Sequence, residues 1–260
     1  TRLHGYANAC PRLSSELAAS VPRHPAPRHP ATLPFLAVVA GIGVFSLMDA
    51  AMKSASLLTG VYTAVLLRNW LGTVLAMPAW VLRRRGPIAG EVMRIHALRG
   101  AIVAAMAPLF FFGLTRIPMA EGIALSFIAP LIALYLASLW LGERIRPAAV
   151  AASLLGLAGV VVIAAGRLGQ GGFDARAMTG IAAILASAVA YAVNLVIQRR
   201  QALLAGPIEI AAFQNLFVGL FLLPFAPWLL VWPDTAALRD IALGAVLATV
   251  ALLLLSWGYA

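Results

Sequence analysis

LLTGVYTAVLLRNWLGTVLAMPAWVL, residues 57–82, is long and apolar enough to cross a bilayer, yet it holds Arg68 and Asn69 near its middle. A membrane helix needs roughly 20 mostly apolar residues at about 1.5 Å rise each. A charge at its centre costs roughly 2.5–3.5 kcal/mol on insertion scales. Such a residue faces a bundle interior or a water-filled path, and it is a functional candidate by default. The apolar run before it, Pro34–Met52, has the same character: Asp49 lies near its end and Lys53 follows four residues on. Two consecutive spans thus carry charge at depth, which points to a membrane protein that handles a solute.

The rest of the chain is equally oily. Hydrophobic residues make up 62% and charged residues 11%, and the mean hydropathy is +0.94. A soluble domain is about half apolar and about a quarter charged, so an all-α polytopic membrane protein is expected, with the lipid bilayer as its partner. The net charge of +10 does not imply nucleic acid, because the basic residues lie in short connections rather than one patch. Cys10 is the only cysteine, which excludes an intrachain disulfide and a thiolate metal cluster. Residues 1–32 are proline-rich, basic and without an apolar core, as in Pro22-Arg23-His24-Pro25-Ala26-Pro27-Arg28-His29-Pro30. They read as a disordered tail. No metal site and no cofactor is expected. The chain begins at Thr1 rather than Met and stops at Ala260 within an apolar run, so a fragment is expected.

Eight spans are expected, at 34–53, 57–82, 95–115, 117–141, 147–166, 178–198, 208–231 and 240–260. Basic residues collect on the cytoplasmic side of membrane proteins. With the N-terminus inside, the inner segments hold Arg2, Arg12, Arg23, Arg28, Arg83, Arg84, Arg85, Arg94, Arg144, Arg146, Arg199 and Arg200, and the outer loops only Arg116, Arg167, Arg176 and Arg239. A multi-pass protein of the bacterial inner membrane with a cytoplasmic N-terminus is the expectation. The Gly-rich Gly169-Gln170-Gly171-Gly172 follows no strand and is a linker rather than a phosphate loop.

An internal repeat organises these spans. A shift of 146 residues lays Arg68-Asn69 on Gln214-Asn215, Pro78 on Pro224, Lys53 on Arg199 and Phe45 on Tyr191. Spans six and seven echo spans one and two, and span eight echoes span three, so the unit is five helices. Five is odd, so the second copy enters from the opposite side, the inverted-repeat plan of secondary transporters. The expected organisation is a tail at 1–32, a first repeat at 33–166, a linker at 167–177 and a second, truncated repeat at 178–260, eight helices of an expected ten.

Arg68 shares a stripe with Ala64, Gly72 and Ala76, each four apart, and small residues at that spacing mark a close helix–helix face. Arg68 therefore points into the bundle, either as a site for an anionic or carbonyl group, as a gating ion pair, or as a structural pin. Asp49 sits roughly 6 Å below Lys53 on one helix face, and Arg68 about 15 Å into its own span, so an Asp49–Arg68 pair is feasible. Lys53 either takes part or snorkels to the surface. Asn194, with Tyr191 adjacent, and Asn215 suit hydrogen bonding inside a bundle, as substrate contacts or as interhelical glue. Gln214 is the repeat mate of Arg68. Glu121 is either a proton carrier or a mouth residue, Arg99 an inner-interface anchor, and Pro130 a mid-span kink.

The stretches Ile117-Pro118-Met119-Ala120-Glu121, Ser126-Phe127-Ile128-Ala129-Pro130-Leu131 and Leu141-Gly142-Glu143-Arg144 resemble the drug/metabolite transporter superfamily, EamA type. Tyr191-Ala192 to Arg199-Arg200 is similar to the start of its second repeat. The resemblance implies ten helices in two inverted repeats, both termini cytoplasmic, a central cavity, and movement of small organic solutes by exchange or proton coupling without ATP. The leading reading is thus a secondary transporter of a small, anionic or zwitterionic metabolite, working by alternating access, with a homodimer left open. The alternatives are a membrane-embedded enzyme, for which the spans lack a catalytic set, and a non-transporting scaffold, which gains little from charges at depth.

Overall fold

A computed structural model describes residues 32–83, 86–141 and 174–258, with individual helical positions between 147 and 162. The expected tail, the fifth span, most of the linker and the Gly142-Glu143-Arg144 turn lie outside the described residues or only partly within them. The helices are α1 (Thr32–Thr59), α2 (Val61–Arg83), α3 (Gly90–Leu114), α4 (Met119–Ser126), α5 (Ile128–Leu141), α6 (Ala175–Ala202), α7 (Pro207–Leu222), α8 (Ala226–Leu229) and α9 (Thr235–Gly258). No strand occurs among the described residues. Seven segments are long and apolar enough to cross a membrane, α4 and α5 counting as one and α7 with α8 as another. The protein is an all-α polytopic membrane protein.

Its surface inverts that of a soluble protein. Leucine, valine and phenylalanine face outward, with Phe35, Val74 and Leu139 each more than half exposed, while alanine is the commonest buried residue. Lipid solvates large apolar side chains as well as a protein core does, so helices associate through small residues that let backbones approach. Between α5 and α6 this gives an alanine seam: Ala129, Ala133 and Ala137 meet Ala188, Ala192 and Val196, each set at four-residue steps. Where α3 meets α6, a Cβ on Gly113 would lie 2.8 Å from the Gly180 carbonyl oxygen.

Several boundaries differ from the sequence reading. The turn between the first two spans falls at Gly60 rather than at 54–56, because nothing in Ser54–Thr59 breaks a helix and Gly60, alone among the described residues, takes a positive φ, +85°. α3 starts at Gly90, five residues earlier than expected. The seventh span gives way at Leu222 to a 3₁₀ turn over Leu223–Phe225, at Pro224. There the Ala226 N–H donates to Leu223, and the freed Leu222 carbonyl accepts from Tyr62 Oη at 2.6 Å. The fourth span breaks at Phe127, between α4 and α5. Pro130 has no N–H to offer the Ser126 carbonyl four residues back, and its ring crowds that oxygen.

The helices pair across the two halves of the chain. α1 lies along α9, α3 along α6, and α2 along α7, while α3 also meets α7 and α2 meets α9. At one end, the Thr59 hydroxyl donates to the Val231 carbonyl (3.3 Å) and the Val231 N–H to the Thr63 hydroxyl (3.0 Å). These bonds tie the α1–α2 turn to the segment before α9. At the other end, Arg200 on α6 pairs with Glu91 on α3 at 2.7 Å.

Candidate functional site

A cleft opens between α1, α2, α7 and α9. Its wall includes Phe45, Arg68, Gly72, Gln214, Asn215 and Thr249, and its empty volume is about 530 Å³ with its mouth included. The stripe that turns Arg68 inward faces α7: a Cβ on Gly72 would meet the Asn215 amide nitrogen at 2.7 Å. Ala64 and Ala76 are buried on either side. With the turn at Gly60, Arg68 lies about 10 Å into α2 and Asp49 about 15 Å from the end of α1, both well inside a hydrocarbon core about 30 Å thick.

The cleft brings together charge and spare hydrogen-bonding capacity. The one hydrogen bond that Arg68 makes among the described residues is from Nη1 to Asn69 Oδ1, a long 3.3 Å. A guanidinium has five N–H donors in a planar fork, so most of this fork is unengaged. Asn69 itself is held to its own helix, its amide donating to the Val65 carbonyl at 2.7 Å. Neither the Gln214 nor the Asn215 side chain has a hydrogen-bond partner among the described residues, and both line the cleft. Thr249 donates to the Ala245 carbonyl at 2.9 Å, which leaves its oxygen lone pairs free to accept. A cation with unengaged donors beside two free amides is suited to gripping a carboxylate or another compact anionic group.

The remaining candidates lie elsewhere. Asp49 makes no ion pair with Arg68 among the described residues; the two charges act on each other only through their field. Lys53 does not snorkel freely: Nζ donates to the Ile117 carbonyl at 2.9 Å, in the link between α3 and α4, and feels the charge of Glu121. Replacing Lys53 by Met should therefore cost stability of roughly 1 kcal/mol, one hydrogen bond's worth, while solute uptake stays within about threefold. A thermal melt beside an uptake assay checks this.

Asn194 belongs to a different cluster from Arg68. It accepts from Arg99 Nε at 2.9 Å. Arg99 is 5% exposed, so it is not the interface anchor expected from its place near a span end, and His96 beside it is fully buried. Arg99 Nη1 also donates to Gln201 Oε1, the Gln201 amide nitrogen lies 2.6 Å from His96 Nδ1, and His96 Nε2 is 3.2 Å from Glu209 Oε1. Trp80 Nε1 donates to the other Glu209 oxygen at 3.2 Å. Tyr191 is partly exposed and acts on Arg99 electrostatically. Gln201 and Glu209 flank the α6–α7 turn; the sequence reading put Gln201 in a connection and Glu209 just inside a span and singled out neither, and only the pairing of α3 with α6 and α7 brings them to His96.

Comparison with known proteins agrees with the polytopic membrane fold. Residues 32–165 match the model of the EamA-like transporter family. The chain is 32% identical over 168 residues to the aromatic amino acid exporter YddG of Ancylobacter novellus, covering 65% of this chain and 50% of that one. It is 31% identical over 190 residues to a probable terminal-alkyne amino-acid exporter of Streptantibioticus cattleyicolor, covering 72% and 62%. It is 26% identical over 131 residues to a riboflavin transporter of Brucella anthropi, covering 49% and 46%. The chain thus spans about half the length of the curated relatives it matches. A crystal structure with 25% sequence identity superposes with a TM-score of 0.61 over 85% of this chain and 78% of its own. The matched model takes in half of the chain and the motifs quoted between Ile117 and Arg144, and the chain belongs to the EamA-like transporter family.

Proposed function

We propose that this chain works as a secondary transporter that moves a small, carboxylate-bearing metabolite by alternating access, without ATP and without chemical change. The observation that carries the reading is the unengaged fork of Arg68 in a cleft shared with the free amides of Gln214 and Asn215. A charge held at depth with most of its donors unused costs stability for no structural return, and a transported anion supplies the missing acceptors. Two of the relatives are exporters of amino acids by name, and every amino acid carries such a group.

The helix pairing supports an inverted five-helix repeat. Exchanging the first three spans with the last three turns α1–α9 into α6–α3, turns α3–α7 into α9–α2, and leaves α2–α7 on itself. That self-mapping is what a pseudo-two-fold axis in the membrane plane requires. The basic residues support a cytoplasmic N-terminus in an inner membrane. In this reading Asp49 sets the field around Arg68, Glu121 and Lys53 hold the α3–α4 link, and Tyr191 and Asn194 belong to the packing of α6 on α3. The test is uptake of a labelled panel of amino acids, other carboxylates and neutral solutes into liposomes holding the full chain, with and without a proton gradient. Uptake of carboxylates above that of neutral solutes is expected. A folded, inserted protein that moves none of the panel defeats the proposal.

A further inference from the structure

The cluster around His96 lies apart from the Arg68 cleft and has a property of its own: its hydrogen bonds fix where the protons are. A guanidinium only donates, so the Gln201 atom facing Arg99 is the amide oxygen, and the amide NH₂ faces His96. His96 Nδ1, 2.6 Å away, must therefore accept. The single ring proton then sits on Nε2 and points at Glu209 Oε1, 3.2 Å away. His96 is neutral in this arrangement, fully buried and stacked on Phe213 with ring centroids 5.0 Å apart.

A second ring proton cannot be added without cost to the helix pairing. On Nδ1 it would oppose the N–H of Gln201. Turning the amide over removes that conflict but swings the NH₂ onto Arg99, donor against donor, and so severs the Arg99–Gln201 bond between α3 and α6. The groups around the ring come from every packed element: Arg99 from α3, Gln201 and, acting on Arg99, Tyr191 from α6, Glu209 from α7, and Trp80 from α2. Glu209 alone among the ring's direct partners carries negative charge, and it is partly exposed.

We propose that His96 is a proton-binding site whose occupancy breaks the Arg99–Gln201 bond and so loosens α3 from α6 at this end of the bundle. A hydronium ion gives its proton to Nδ1 and leaves as water. The imidazolium then donates to Glu209 and to the turned Gln201 oxygen, Glu209 balances the charge, and Arg99 keeps only Asn194. Histidine is the side chain whose charge changes near physiological pH, which suits it to couple a proton to opening. That coupling to solute rests on the transporter reading; the proton site does not.

The test uses spin labels on the same end, at the exposed pair Glu91→Cys and Arg200→Cys in a Cys10→Ser background of the full chain in nanodiscs. Between about pH 8 and about pH 4.5, a range wide enough to take in a buried histidine, the label separation should lengthen by on the order of 5 Å, a movement of helix-turn scale. His96→Gln and Gln201→Met should each abolish the pH response. If His96→Gln does not fold, Gln201→Met carries the same test through the amide that relays the proton. An unchanged separation in the parent protein, or a pH response that survives in the folded variants, overturns the proposal. A pH-driven separation in a chain that moves no solute of the panel supports the proton site and defeats only the transporter reading.

Discussion

Arg68→Ala should lower carboxylate uptake by about 10-fold to 100-fold while the protein still inserts and folds. Hydrogen bonds to a charged group contribute about 1.5–3 kcal/mol, and each 1.4 kcal/mol is about tenfold in binding. The stability cost should be small, because the one internal bond lost is the long 3.3 Å contact with Asn69, and Asn69 keeps its bond to Val65. Arg68→Lys, which keeps the charge but loses the planar fork, should fall between the two. The measurement is initial uptake rate against solute concentration, read beside the elution profile of the purified protein. Uptake within threefold of the parent at saturating and at low solute would make Arg68 a packing residue.

Gly113→Leu should destabilise the bundle by about 3 kcal/mol or more, since overpacking costs roughly 1–3 kcal/mol even where neighbours yield. Here they yield little. The new Cβ would collide with the Ile184 side chain and lie 2.8 Å from the Gly180 carbonyl oxygen, and a backbone oxygen moves only with its whole helix. Ile184 is fully buried and has no alternative space. The expected result is loss of the monodisperse protein on size exclusion, or a fall in melting temperature of roughly 6–12 °C. Gly43→Leu is the control: nothing lies within 4 Å of a Cβ at that position, so its melting temperature should match the parent's. Equal behaviour of the two variants would mean that α3 and α6 do not cross closely at Gly113.

Several elements were legible from residues alone. The small-residue stripe with Ala64, Gly72 and Ala76 gave the inward direction of Arg68, because close approach of two backbones leaves a local signature at four-residue spacing. The break ahead of Pro130 followed from a missing N–H. The turn at Gly60 was misplaced, because a hydrophobic run marks where lipid is and not where one helix ends and the next begins. Asp49 and Arg68 were expected to be able to pair, and Arg99 to anchor at an interface; α1 instead lies along α9, and α3 is enclosed by α6 and α7.

The sequence by itself determined the class, the seven described spans apart from their ends, and the charge at depth, because transfer of each segment into lipid depends on that segment's own composition. It also singled out Arg68, Gln214 and Asn215 as polar residues within spans. Only the tertiary structure decided that those three share a cleft in which their polar groups stay unengaged, and that Asn194 does not join them. Only the tertiary structure, too, gathered His96, Arg99, Gln201 and Glu209 into one chain of hydrogen bonds. The bonds of that chain join helices about a hundred residues apart, and a side-chain hydrogen bond forms only within about 3 Å. Which partners reach that distance depends on how rigid helices cross, which no single segment encodes.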